Sequence, residues 1–198
     1  FSTAAPMAPL NLLAEDPTMI ANGGSGVVNG VMHTVFLDLS LSMWGVINAY
    51  HRQYDPSSWQ RVAPEQKIDL SLAAFETAQD QTTGEIYGEF YNSDLTQREF
   101  GVIDFENETR TTFGTTTKAY VALGLSSDGY LYGVATDGNL YKIDKTNGAE
   151  TMIGSTGVQI LDAEGSYFNQ SGEIDQKTNT FYWASVDNQE QCVLYTVD

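Results

Sequence analysis

Short runs of alternating hydrophobic and polar residues recur along the chain, each broken by Gly, Asp, Asn or Thr. In Leu140-Tyr141-Lys142-Ile143-Asp144, Tyr141 and Ile143 fall on one face and Lys142 on the other, the period of two of a half-buried strand. The runs are rich in β-branched and aromatic residues, which suit a pleated surface. Gly or Asn stands between them where a tight hairpin needs positive φ, as in Asp80-x-x-Thr83-Gly84 and Asp175-x-x-Thr178-Asn179. Pro64–Gln79 also spaces Ile68, Leu72 and Phe75 as a helix would, but its alternation through Ile68, Leu70 and Leu72 fits a strand. Alignment with the other runs predicts a strand over Ala73–Ala78.

The runs repeat in order. Thr83-Gly84-Glu85-Ile86-Tyr87-Gly88 recurs as Asp128-Gly129-Tyr130-Leu131-Tyr132-Gly133 and as Thr178-Asn179-Thr180-Phe181-Tyr182-Trp183, with a faint first copy at Asn29–His33. A second signal follows each copy: Phe100–Asp104, Leu140–Asp144, Leu194–Asp198, and weakly His51–Asp55. Each unit therefore reads as strand a, tight turn, strand b, variable loop, strand c, tight turn, strand d. Four strands per roughly 45 residues is the spacing of a β-propeller blade. The predicted class is all-β, a propeller of four-stranded antiparallel blades with units at about 22–67, 68–116, 117–157 and 158–198.

The Asp-x-x-Thr-Gly-x-x-Tyr-Gly and Leu-Tyr-x-Ile-Asp-x-x-x-Gly segments resemble the propeller repeats of exported bacterial proteins, the broad YVTN/NHL-like group. The resemblance covers roughly residues 22–198 and implies a blade shape rather than an activity, since such proteins include scaffolds, adhesion modules, ligand binders and some enzymes. Residues 1–21 read as an N-terminal extension or a ring-closing strand. Either Met7–Leu13 supplies the missing strand d of the last unit and closes four blades, or the chain is the front of a larger ring with further blades or domains downstream. The Pro-interrupted first 20 residues carry little strand signal, which favours the second arrangement.

Composition narrows the partners. Nine Lys+Arg against 26 Asp+Glu give a net charge of −17, a surface that phosphate backbones and anionic leaflets repel. Neither nucleic-acid binding nor membrane insertion is expected. The single cysteine, Cys192, excludes an intrachain disulfide framework, and its place in a strand c predicts a buried thiol. A first residue other than Met, few lysines, and the family resemblance point to a secreted or cell-surface protein.

Catalytic signatures are missing. Gly23-Gly24-Ser25-Gly26-Val27 lacks the final glycine of a nucleophile elbow and reads as a glycine-rich strand entry. His33 falls at a packed strand-b position, His51 reads as structural or surface, and Trp183 as core. Asp55, Asp104, Asp144 and Asp198 recur beside turns, which predicts Asx-type turns rather than catalysis, and Asp80 and Asp175 read the same way. No cofactor is implied, although a calcium ion shared between acidic loops fits this composition.

The b–c loops vary while the a–b and c–d turns are stereotyped, so binding is expected on the b–c face. Its candidate ligand contacts are Trp44, Asp94, Arg98, Asp187 and Glu190, with Trp44, and Trp59 as a second candidate, offering a flat apolar face to a sugar or protein. The leading expectation is a non-catalytic binding or scaffold module contacting a protein or glycan. The alternative is an enzyme acting on a glycan or small molecule through carboxylates or calcium near the central channel.

Overall fold

A computed structural model describes residues 21–91, 97–160, 170–186 and 192–197. Its strands are β1 (Ala21–Val28), β2 (Val31–Asp38), β3 (Asn48–Tyr54), β4 (Gln66–Ile68), β5 (Ala74–Gln79), β6 (Ile86–Tyr91), β7 (Arg98–Asp104), β8 (Thr109–Thr116), β9 (Tyr120–Leu125), β10 (Leu131–Ala135), β11 (Asn139–Ile143), β12 (Glu150–Ser155), β13 (Ser171–Asp175), β14 (Thr180–Val186) and β15 (Cys192–Val197). They form antiparallel sheets in the order β1-β2-β3-β4, β5-β6-β7-β8, β9-β10-β11-β12 and β13-β14-β15. The chain is a β-propeller of four blades, the fourth showing three strands among the described residues. Pro64–Gln79 holds β4, β5 and one short 3-10 turn, Leu70–Leu72: the strand expected over Ala73–Ala78 is β5, whereas the Ile68, Leu70 and Leu72 alternation leaves β4 and runs through the turn.

Turn chemistry explains the hairpins. Asn29 and Gly30, with φ of 50° and 79°, make the two-residue β1–β2 turn. Elsewhere an Asp opens a five-residue turn and its carboxylate caps the turn's own N–H groups. Asp80 accepts from Thr82 and Thr83, Asp104 from Glu106 and Asn107, Asp144 from Thr146, Asp175 from Lys177, and Asp55 from Ser57. These aspartates are Asx-turn formers, as expected; Asp198 lies outside the described residues. Turn donors hold several of these carboxyls below the usual range, led by Asn107 at Asp104, Thr146 at Asp144 and Ser57 at Asp55.

The innermost strands pack in sequence, β1 on β5, β5 on β9, and β9 on β13. Each seam has its own apolar core. Val35, Ile86, Phe90 and Ile103 fill the first; Tyr87, Phe100, Leu123 and Ile143 the second; Val121, Val134, Phe181 and Trp183 the third. Strand β9 is buried along its whole length because a seam lies on either side of it. At Gly124 a side chain would stand 2.7 Å from the Ile174 backbone nitrogen, so only glycine lets β9 and β13 approach this closely. The fourth seam, between β13 and β1, has no apolar cluster among the described residues.

Loop contacts define two faces. Lys118, between β8 and β9, bonds Asp137 in the b–c turn of blade three at 3.0 Å. On the opposite face the a–b turn of blade two meets the c–d turn of blade three through Asp80 and Lys145, 2.9 Å apart. Cys192 begins β15, the outermost described strand of its blade, and is exposed. This corrects the expectation of a buried thiol: with no fourth strand beside it among the described residues, the blade edge leaves the sulfur uncovered.

Candidate functional site at the propeller axis

At the fourth seam, which has no apolar cluster among the described residues, a polar cavity of about 240 Å³ opens between β1, β5 and β13. Its β1 wall is Gly24–Val27. Gly24 has φ of +101°, and a Cβ there would lie 2.8 Å from Thr77 Cγ2, so glycine is needed both for the bend and for the contact. Two side chains of β5 then stand in for a neighbouring strand. Thr77 Oγ1 accepts from Ser25 N (3.1 Å) and donates to Ser25 O (2.9 Å). Gln79 Oε1 accepts from Val27 N (3.0 Å) while its Nε2 donates to Val27 O (2.6 Å). Blade four reaches across to β5 as well: Gln176 Nε2 donates to Gln79 O at 3.1 Å and Ser171 Oγ to Glu76 Oε2 at 3.4 Å.

Two carboxyls line this cavity, Glu76 from β5 and Glu173 from β13. Glu76 alternates with Ala74 and Ala78 on the buried face of its strand. Burial drives its pKa well above the usual carboxylate value; the Ser171 hydrogen bond opposes this, and the charges of Glu89 and Glu173 reinforce it. Glu173 is exposed to water at the cavity, yet protein crowds its carboxyl from behind. That crowding pushes its carboxyl up to about 7, against the N–H groups of Ile174, Leu125 and Gln79 that favour the anion. The Ile174 N–H donates at 2.9 Å. Both carboxyls are thus pushed toward the protonated form, in which an acid O–H can donate as well as accept.

Behind Glu76 lies Glu89, fully buried on β6, which accepts from Thr116 Oγ1 (2.7 Å), Tyr120 N (3.2 Å) and Arg98 Nη1 (3.4 Å). Burial raises its pKa despite these donors. Arg98, expected in a binding loop, is instead the first residue of β7; its guanidinium pairs with Glu89 and lies 4.9 Å from the centre of the Phe75 ring. Trp44 closes a short 3-10 turn, Ser42–Trp44, in the first b–c loop and is 80% exposed, beside Met43 at 92%. Asp94, Asp187 and Glu190 lie outside the described residues, as does Met7–Leu13. Trp59 is partly buried, Trp183 fully buried, and His33 and His51 are both buried and in contact with one another.

Glu76, Glu89 and Glu173 do not stand out in the sequence. The available signal is an acid at an inward position of an inner strand, as in Ala74-Phe75-Glu76-Thr77-Ala78. Among the described residues no group of three or more His, Cys, Asp or Glu side chains is placed to hold a metal ion. No described helix is long and apolar enough to cross a membrane.

No family model matches the chain, and no curated protein matches it. Solved structures share the fold. A structural genomics protein of unknown function from Bacteroides thetaiotaomicron is similar with a TM-score of 0.57 at 11% identity, over 90% of this chain and 44% of that one. A gluconolactonase from Xanthomonas campestris is similar with a TM-score of 0.55 at 13% identity, over 98% of this chain and 63% of that one. At such identities the likeness is one of fold alone. The chain spans less than two thirds of the length of either protein.

Proposed function

We propose that this propeller is a binding module whose ligand site is the axial cavity, and that it takes a small uncharged hydroxylated molecule, such as a glycan terminus. The observation that carries the reading is the Glu76–Ser171–Glu173 wall, where two carboxyls whose pKa values burial raises meet a hydroxyl. Such a wall matches hydroxyl groups, which both donate and accept. Among the described residues no Lys or Arg lines the cavity, so an anion would find no cationic side chain there to offset the two carboxyls. The volume sits just below the ~300 Å³ at which ligand pockets ordinarily begin, which argues for a small ligand or the tip of a larger one.

A titration of the chain with monosaccharides and polyols, read by thermal shift with and without calcium, tests this. A saturable rise in midpoint with one of them is expected by mass action. Glu76→Gln keeps a donor and should bind within a few-fold of the parent, whereas Glu76→Leu should bind at least about tenfold more weakly. Equal binding by both variants would refute the assignment.

A second reading rests on the loop between β2 and β3, where Leu41, Met43, Trp44 and Val46 are all exposed. A protein or glycan partner on the b–c face would cover these side chains, and Trp44→Ala would then abolish capture without altering the axial site. An exported or cell-surface setting belongs to the proposal in either form, supported by the acidic composition and the YVTN/NHL-like repeat motifs.

A further inference from the structure

The chain has two histidines, and the fold brings them together at the seam between blades one and two, away from the axial cavity. His33 on β2 and His51 on β3 are 5% and 4% exposed. His33 Nδ1 lies 2.9 Å from His51 Nε2, and His51 Nδ1 lies 3.4 Å from Glu108 Oε1. The protons follow from these distances. The Glu108 carboxylate can only accept, so His51 Nδ1 carries a hydrogen and, in the neutral ring, Nε2 is an acceptor. His33 Nδ1 is then the donor, which leaves a lone pair on His33 Nε2. That atom has no hydrogen-bond partner among the described residues.

His33 lines a cavity of about 280 Å³ shared with Glu106 and Glu108. Phe105 stacks on both imidazoles, with ring centres 5.6 and 5.7 Å away, and fixes their planes. Burial first, and His51 second, hold His33 below the usual imidazole pKa against the pull of Glu106, so the lone pair is available at neutral pH. Among the described residues the cavity lining contains no Lys or Arg. An acceptor on a nearly buried ring, open to a cavity that also holds two carboxylates, suits a ligand that carries both N–H donors and positive charge.

We propose that this cavity binds a primary ammonium group, which donates one N–H to His33 Nε2 and turns its charge toward Glu106 and Glu108. Anions are excluded by the carboxylates, and a quaternary ammonium lacks the N–H that the imidazole needs. The group belongs either to a free amine or to a lysine side chain of another protein.

Because only two histidines exist, their Cε1–H resonances report the site directly. The whole chain is titrated with n-butylammonium, n-butyltrimethylammonium, and lysine blocked at both backbone ends. A saturable shift of the His33 signal with n-butylammonium is expected, with affinity for the quaternary ion lower by about tenfold or more. Tighter binding of blocked lysine than of butylammonium identifies a protein lysine as the source, and the reverse order a free amine. Glu106→Gln, at an exposed turn position, should weaken binding several-fold while leaving the fold intact. His33→Phe keeps the stack on Phe105 but removes the lone pair, and should leave the His51 signal unmoved by the amine. Histidine signals that do not respond, equal binding of the quaternary ion, or unchanged affinity in Glu106→Gln would each overturn the proposal.

Discussion

Replacing Glu173 by glutamine should make the protein more stable at pH 8. In the folded state the carboxyl is raised from 4.5 to about 7. Between those values the folded chain binds more protons at this position than the unfolded chain, so unfolding stability falls as pH rises from about 4.5 to about 7 and then levels off. In a sealed site that rise would be worth about 3.4 kcal/mol. Because Glu173 still touches water, solvent screening reduces it to roughly 1–2 kcal/mol. Glutamine cannot ionise, so the variant escapes this loss, and its midpoint at pH 8 should exceed the parent's by about 2–8 °C. Near pH 4.5, where the parent carboxyl is protonated, the two should melt together. Paired thermal melts across pH 4–9 measure the difference and cancel the other titrating groups. The opposing force is the set of backbone donors from Ile174, Leu125 and Gln79. If those donors outweighed burial, the parent would gain stability with rising pH and the variant would be the weaker protein at pH 8. That result would refute the reasoning, and with it the raised carboxyl pKa on which the ligand proposal stands.

Other consequences are as direct. Trp183→Ala empties the third seam and leaves Gln170, which accepts from the indole Nε1 at 3.1 Å, without that donor; urea unfolding should show a loss of about 3–5 kcal/mol. Glu89→Ala removes the buried acceptor shared by Arg98, Thr116 and the Tyr120 N–H, and should cost about 3–5 kcal/mol in the same assay. Gly124→Ala forces a methyl against the β13 backbone and should be more disruptive than Gly154→Ala, whose Cβ meets nothing within 4 Å. Cys192 should react with a maleimide at native pH without denaturant, as an exposed thiol does; protection until unfolding would contradict the exposed blade edge.

The blades are legible in the sequence because their information is local. An Asp that caps its own turn, a Gly or Asn at positive φ, and a five-residue alternation all sit within a dozen residues of one another, and the pattern recurs once per blade. The same locality makes Asp104 and Asp144 recognisable as turn formers from their flanking residues alone. The axial carboxyls have no such signature. Glu76 and Ser171 are 95 residues apart, and neither lies in a motif; their meaning arises only where inner strands of separate blades converge. Among 26 acids a lone glutamate in a strand draws no notice until its burial is known. The histidines are legible singly, His33 above all as a packed side chain, but their pairing depends on the β2–β3 register that sets Val35 opposite His51 and leaves His33 diagonal to it. Arg98 reads as a loop residue because the end of a variable segment and the start of a strand look alike in polar sequence; pairing with Tyr91 and Thr116 decides it.

Among the described residues, three greasy seams and one wet seam make the molecule behave like a split washer. Bending energy is concentrated where adhesion is weakest, so slow breathing of the disc should be a hinged parting of blade one from blade four rather than a uniform swelling. Among the described residues, blade four is tied across the axis to blade two, by Ser171 to Glu76 and Gln176 to Gln79, rather than to blade one. A guest lodged among them would act as a clasp, stiffening the whole disc from its axis, and the acidity of one carboxyl would set how tightly the clasp is sprung.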